Sequence, residues 1–125
     1  MTDERRQRGL EMMRAVYGWD VQDGPGDFFA STVDHLFGEI WSRAPLSIRD
    51  RRLLLLGAIA AQGLTEILEI QAGAALLNEE LDEAGLREAA LFLTYYVGWP
   101  MGTRLNGAVE KAINQRRKDQ RDEPV

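Results

Sequence analysis

The chain of 125 residues contains no cysteine, and this absence excludes disulfide bonds, thiolate metal sites and thiol redox catalysis. A single histidine, His35, argues against a dedicated zinc site. The net charge of −5 argues against general nucleic-acid binding, because phosphate recognition needs a basic surface. Phosphate-binding glycine loops and the His-Glu-x-x-His motif are missing. We therefore expect no metal site and no nucleic-acid partner.

Long apolar runs are also missing, since no stretch approaches the roughly 18 residues that a membrane span requires. The first residues, MTDERRQRG, are too polar for a signal peptide, so we expect a cytoplasmic protein without a membrane partner. With 45% hydrophobic and 28% charged residues, the composition is typical of one globular domain. We place that domain at residues 1–115 and predict a polar, frayed tail at 116–125, which lacks apolar anchors.

Apolar residues recur at helical spacing, and no strand alternation is sustained over several residues. Residues 3 to 17 form an amphipathic pattern that Gly18 can terminate. A second pattern runs from Phe28 to Trp41, with Asp27 available as its N-cap and Gly38 able to permit a close helix contact. The sequence therefore predicts an all-α bundle of about six helices joined by short loops.

The densest apolar stretch is residues 47–78, which predicts two packed helices at the centre of the fold. Ser47 can cap the first helix, and Gly63 can close it in a left-handed conformation. Thr65 can then cap a second helix that begins at Glu66.

Two more helices are predicted in the last third of the chain. Asp82 can cap the first of them, and Gly98 ends it. Pro100 suits the first turn of the last helix, because a proline there loses no hydrogen bond.

Glu66 is the residue that most strongly suggests chemistry, because helical spacing places it on one face with Ile70, Gly73 and Leu77. An acid in a first helical turn is also favoured by the helix dipole and then needs no catalytic role. In the functional interpretation, the acid loses solvation beside Ile70 and exchanges protons with a substrate near neutral pH. Glu69 lies on an adjacent face and could serve instead. Both interpretations stay open at this stage.

Three arginines, Arg49, Arg51 and Arg52, stand at the start of the central helix. They can form a solvated first turn, bind a carboxylate of a ligand, or pair with an acid of the same fold. Cations oppose the dipole at a helix N-terminus, which favours a specific partner for at least one of them. Trp41 and Arg43 can form a cation–π pair or a ligand wall, although packing is the simpler role for the tryptophan.

The order of several short segments resembles the carboxymuconolactone decarboxylase family. The segments are FGEIWSR, RDRRLLLL, TEILEI, ALLN and YYVGWP. The resemblance runs from about Arg5 to Ile113 and implies an alkylhydroperoxidase D-like helical fold, assembled as rings of three or six subunits. It also implies a cofactor-free lyase of aromatic compound catabolism, since the enzyme that names the family decarboxylates 4-carboxymuconolactone.

Residue by residue, the resemblance implies a site near the subunit contacts. Glu66 corresponds to the proton donor or acceptor, and Arg51 or Arg43 would orient a substrate carboxylate. Trp41 and Tyr96 would form an apolar wall of that site.

The departures from the family pattern concern proton transfer. Ile70 stands where the family has a histidine four residues after its glutamate, so the paired acid and imidazole are lost. Gly107 and Thr103 stand where the pattern has a later histidine and an asparagine. A sister branch reduces peroxides with a Cys-x-x-Cys pair, which this chain cannot do.

The resulting expectation is a homo-oligomeric, decarboxylase-like protein that binds or acts on a small carboxylate-bearing molecule or lactone, with Ile70 lining the site beside Glu66. Whether the chain is an enzyme stays open. The alternative is a non-catalytic family member that serves as a ligand-binding or assembly subunit.

Overall fold

A computed structural model describes residues 3–123, and within them the chain forms six α-helices, one π-helix and no strand. The predicted all-α fold is confirmed. The elements are α1 (Glu4–Tyr17), α2 (Asp27–Ala30), π1 (Ser31–Ile40), α3 (Ile48–Gln62), α4 (Thr65–Leu77), α5 (Glu83–Val97) and α6 (Trp99–Arg121). No helix in the described part of the chain has the length and apolar character that crossing a membrane requires.

The chain divides into two compact units, one up to Arg51 and one from Arg52 onward. In the first unit, α1 packs against π1. The buried apolar residues of this unit come from both helices and from the residue after π1: Met13, Val16, Val33, Phe37 and Trp41. The prediction of one domain over residues 1–115 stays a prediction.

Glycines bring α1 and π1 close together. A Cβ at Gly9 would overlap the carbonyl oxygen of Val33, and one at Gly38 would lie 3.3 Å from the carbonyl oxygen of Arg5. The close contact predicted from Gly38 is therefore confirmed, and it is made possible by the absence of side chains at both positions. Gly18 ends α1 at a φ of 86°, in the left-handed conformation expected of it.

The second predicted helix differs from its expected form in two ways. Asp27 is its first helical residue and Gly26 occupies the cap position, without a side-chain cap. After one α-helical turn, the backbone hydrogen bonds join residues five positions apart instead of four. An example is the 2.9 Å bond from the Trp41 amide to the Leu36 carbonyl. A π-helix of ten residues is unusual, since most π-helical segments are single turns.

In the second unit, α6 packs against both α4 and α5. Its core is built from alanines and branched aliphatic residues of α3 to α6, including Leu56, Ala72, Leu86, Leu105 and Ile113. Gly63 closes α3 at a φ of 74°, as predicted. Asp82 caps α5 by accepting a 2.7 Å hydrogen bond from the Gly85 amide, which was also predicted.

Two boundaries differ from the sequence predictions. Helix α4 begins at Thr65, one residue early, and Leu64 is its cap residue without a side-chain hydrogen bond. Helix α6 continues to Arg121, so the tail predicted from 116 is helical up to that residue, and positions 124 and 125 lie outside the described residues. Arg117 explains the extension, because its Nε donates a 2.9 Å hydrogen bond to Glu83 at the start of α5.

Candidate functional site

Arg51, a predicted substrate-binding residue, holds the segment after π1 in place through hydrogen bonds to its backbone. Its Nη1 donates hydrogen bonds to the carbonyl oxygens of Arg43, at 2.9 Å, and Trp41, at 3.4 Å, and it also contacts the Leu46 carbonyl. The fold thus brings Arg51, Arg43 and Trp41 together through backbone carbonyls. This contact gives the arginine a structural role that needs no ligand.

The Trp41 ring is buried in the core of the first unit and stacks on Phe37, with ring centroids 5.9 Å apart and planes within 6°. The Arg43 side chain is exposed. A packed indole favours the structural interpretation of Trp41. A substrate-binding role for Trp41, Arg43 and Arg51 stays a prediction.

Arg52 is fully buried, and its partner is an acid of the same fold. Its Nε and Nη2 donate to the two carboxylate oxygens of Glu80 at 2.8 and 3.2 Å, and its Nη1 donates to the amide oxygen of Gln71. The Asn78 amide donates to the same carboxylate at 3.2 Å. One of the three alternatives left open for the arginines is therefore observed at Arg52, while Arg49 lies exposed beside Asp50.

The turn after α4 positions Glu80 beside Arg52. Glu79 adopts a left-handed conformation with a φ of 58°, and the Glu80 amide donates back to the Ala75 carbonyl at 2.9 Å. This is the hydrogen-bond pattern of a Schellman motif, in which the left-handed position is usually glycine. This turn is not predictable from the residue type, because glutamate disfavours the left-handed conformation.

Glu66 lies on the exposed side of α4, in line with Ile70, Gly73 and Leu77. We call these four residues the α4 strip. Ile70 is 47% exposed and Leu77 is 42% exposed, so the strip is an apolar surface that carries one carboxylate. The expected shared face is observed, but the expected loss of solvation is not, because neither α3, α5 nor α6 covers Glu66 within the second unit. The catalytic role of Glu66 stays a prediction.

A cation that the sequence analysis did not single out lies at the start of the α4 strip. Arg104, on α6, donates a 3.4 Å hydrogen bond from Nη2 to the Thr65 hydroxyl, one residue from Glu66. Glu69, the alternative acid, instead lies 3.8 Å from the ammonium group of Lys111. Arg104 and Thr65 are 39 positions apart in the sequence, so their contact becomes visible only when α6 packs on α4.

Tyr96 is 78% exposed on α5, within a group of exposed aromatic residues. Its ring packs at 5.2 Å from Phe92, and Tyr95 makes an edge contact with Trp99 at 5.7 Å. We call these four residues the aromatic surface. Beside Trp99, a cleft of about 270 Å³ opens between α5 and α6.

Ionisable groups of the first unit form ion pairs on its surface. The Arg6 guanidinium hydrogen-bonds Asp34 at 2.6 Å and lowers the pKa of that carboxyl, and Arg5 lowers the pKa of Glu39 in the same way. His35 is exposed, with Nδ1 3.3 Å from Glu39. Across residues 3–123, no cluster of three or more acids or histidines is arranged to hold a metal ion.

Comparison with known proteins identifies the family but no individual relative. Neither curated proteins nor solved structures gave a match to the chain. A family model described as the carboxymuconolactone decarboxylase family matches residues 26–111, which is more than half of the 125 residues. The chain belongs to the carboxymuconolactone decarboxylase family.

Proposed function

We propose that the protein binds a small carboxylate-bearing organic molecule on the α4 strip and acts on it as a cofactor-independent lyase. The observation that supports this proposal is the placing of Glu66 on an exposed apolar surface, one residue from the contact between Arg104 and Thr65. Arg104, Glu66 and the apolar side chain of Ile70 thus lie within the first two turns at the start of α4. Membership of the decarboxylase family supports the same class of chemistry.

Each part of this arrangement has a distinct task. Arg104 would hold the substrate carboxylate that is retained, because a guanidinium binds a carboxylate through two parallel hydrogen bonds. Ile70, one turn after Glu66, would bind the hydrocarbon part, which gains from leaving water. Tyr96 would complete the apolar wall that the resemblance assigns to it.

Glu66 would move the proton. Decarboxylation breaks a carbon–carbon bond, and the electron pair that stays behind is delocalised into the substrate's own carbonyl group before a proton is added to carbon. An acid within hydrogen-bond reach of that carbon can supply the proton and take it back from water afterwards. With Ile70 in place of a histidine there is no imidazole to relay it, so we expect 4-carboxymuconolactone to be turned over slowly or not at all.

The test combines binding and turnover. In thermal-shift measurements, 4-carboxymuconolactone and simple organic acids should raise the unfolding temperature of the natural protein. The reason is that a ligand that binds only the folded state stabilises it. Arg104→Met should abolish that shift. Glu66→Gln should keep the shift but lose any release of carbon dioxide.

The matched control is Glu88→Gln, because Glu88 is an exposed acid of α5 outside the α4 strip. Its binding and turnover should equal those of the natural protein. The proposal would be wrong if Arg104→Met and Glu88→Gln bind the acids equally well. Turnover of the lactone at the usual enzymatic rates of about 1 to 1,000 per second would refute the argument from Ile70.

The aromatic surface favours a second candidate, a non-catalytic family member that serves as a ligand-binding or assembly subunit. Phe92, Tyr95, Tyr96 and Trp99 are each more than half exposed, and such residues are enriched at protein interfaces. The assembly role requires a homo-oligomer, for which the family resemblance suggests three or six subunits. Light scattering that gave a mass near 14.1 kDa at micromolar concentration would contradict it.

A further inference from the structure

The cleft between α5 and α6 lies outside the α4 strip and shares no residue with it. Its floor consists of Ala90, Thr94 and Gly102, all of which are buried. A Cβ at Gly102 would overlap the Thr94 side chain, so the two helices are in close contact at the floor. The Thr94 hydroxyl donates its proton to the Ala90 carbonyl at 2.7 Å. The floor is therefore closed and its one hydroxyl donor is already engaged.

The walls of the cleft are large and apolar. Trp99 is 60% exposed and Leu91 is about half exposed, so both leave substantial apolar area in contact with water. The edge contact of Trp99 with Tyr95 holds the indole in place. An aromatic ring laid against Trp99 would remove this area from water and add a ring–ring interaction.

The rim of the cleft is polar but carries no charge. Thr103 and Asn106 contribute a hydroxyl and a primary amide. The Thr103 hydroxyl donates to the Trp99 carbonyl at 3.2 Å, so Asn106 is the residue that can offer both donors and an acceptor to a ligand. Among the described residues that line the cleft, none is charged. A charged ligand would lose water there without gaining an opposite charge, which is unfavourable.

We propose that this cleft binds a small, uncharged aromatic molecule with an amide or hydroxyl substituent. The ring would lie against Trp99 and Leu91, and the substituent would hydrogen-bond to Asn106. The volume of about 270 Å³ lies just below the usual range of ligand pockets, roughly 300–1,000 Å³, and suits a single ring. This ligand class differs in charge from the organic acid proposed for the α4 strip, so the two sites can be tested independently.

The experiment is a titration of the natural, full-length protein with benzamide, followed through the indole N–H signals in two-dimensional NMR spectra. Benzoate serves as a ligand of similar shape with a negative charge, and cyclohexanecarboxamide as one with the same amide and no aromatic ring. We expect the Trp99 signal to shift with a dissociation constant of about 1 mM for benzamide. Benzoate and cyclohexanecarboxamide should each bind roughly tenfold more weakly.

Trp99→Leu lacks the indole signal, so its titration is followed through the backbone amide signals of the remaining cleft residues. This variant should bind benzamide roughly tenfold more weakly. The matched control is Trp19→Leu, because Trp19 is 51% exposed and also packs on a single tyrosine, Tyr17, yet lies outside the cleft. Its benzamide affinity should equal that of the natural protein. Asn106→Ala, a change of one exposed side chain, should weaken binding severalfold without affecting the circular dichroism spectrum.

Three results would overturn the proposal. One is a titration in which the Trp99 signal does not move up to about 10 mM benzamide. The same null result is expected if another copy of the chain fills the cleft. Another is equal affinity for benzoate and benzamide. The third is equal affinity of Trp99→Leu and Trp19→Leu. Unchanged benzamide binding in Glu66→Gln, together with loss of organic-acid turnover, would separate the two sites.

Discussion

Replacing Glu80 with alanine tests whether the second unit depends on its buried ion pair. The Arg52 guanidinium is 0% exposed and Glu80 only 8%, and two hydrogen bonds of 2.8 and 3.2 Å join them. Glu80→Ala removes the carboxylate and keeps the buried cation. Because a buried charge that loses its counter-charge is costly, we expect a large loss of stability.

The size of the loss follows from the burial. Removing one partner of a buried ion pair costs about 3–5 kcal/mol, whereas an exposed pair contributes about 0–1 kcal/mol. For a chain of this length, each kcal/mol lowers the melting temperature by roughly 3–5 °C. Glu80→Ala should therefore lower it by more than about 10 °C.

The chain offers a matched control in Arg87 and Glu110. This pair is also joined through Nε and Nη2, by hydrogen bonds of 3.2, 3.1 and 3.1 Å, but its side chains are 45% and 39% exposed. Glu110→Ala should cost no more than about 1 kcal/mol. The free energy of unfolding of both variants is measured by urea unfolding followed by far-ultraviolet circular dichroism. The slope of this free energy against urea concentration should stay unchanged, because a change would indicate a different unfolding transition.

A second variant separates charge from packing. Arg52→Met combined with Glu80→Leu replaces the pair by apolar side chains, and its stability should recover part of the loss seen in Glu80→Ala. The recovery is partial because the buried Gln71 amide oxygen loses its Arg52 donor. Equal midpoints for Glu80→Ala and Glu110→Ala would refute the reasoning, because burial would then make no difference to the pair.

Gly9→Ala should destabilise the protein by about 1–3 kcal/mol, because the new Cβ would overlap the Val33 carbonyl oxygen. Gly107→Ala, on an open face of α6, should stabilise it by about 0.5–1 kcal/mol. If both glycine variants shifted the urea midpoint in the same direction, the two predictions would be contradicted. Arg6 lowers the pKa of Asp34, so their contribution to stability is present above the ordinary value of about 3.9 and is lost as pH falls through the lower folded value. Asp34→Asn should accordingly lose less stability than the natural protein between about pH 5 and pH 2, and parallel melting curves across that range would argue against the linkage.

Helix ends were predictable where a residue type marks them locally. Gly18 and Gly63 adopt the left-handed conformations expected of them, and Asp82 caps α5 through a hydrogen bond to a nearby amide. The π-helix was not predictable, because the choice between bonds of four and five residues depends on packing rather than on composition. The extension of α6 depends on a similarly distant contact, between Arg117 and Glu83.

The candidate site shows the same division between local and distant information. Spacing correctly placed Glu66 and Ile70 on one face of α4, because both belong to one helix. Whether that face is covered depends on other elements, and within the second unit it is left open. Glu80 lies 28 residues from Arg52, and a chain with 20 acidic residues gives no local sign of which one pairs with that arginine. Thr65, the partner of Arg104, is 39 residues away and likewise has no local sign.

The turn after α4 places opposite constraints on two adjacent positions. Glu79 holds a left-handed conformation that costs a residue with a Cβ about 1–2 kcal/mol, whereas Glu80 supplies the counter-charge for Arg52. In a library randomised at both positions and selected for stability, glycine and asparagine should accumulate at 79 while glutamate is retained at 80. Two adjacent glutamates thus face opposite constraints, and a substitution rate averaged over the loop would hide the difference.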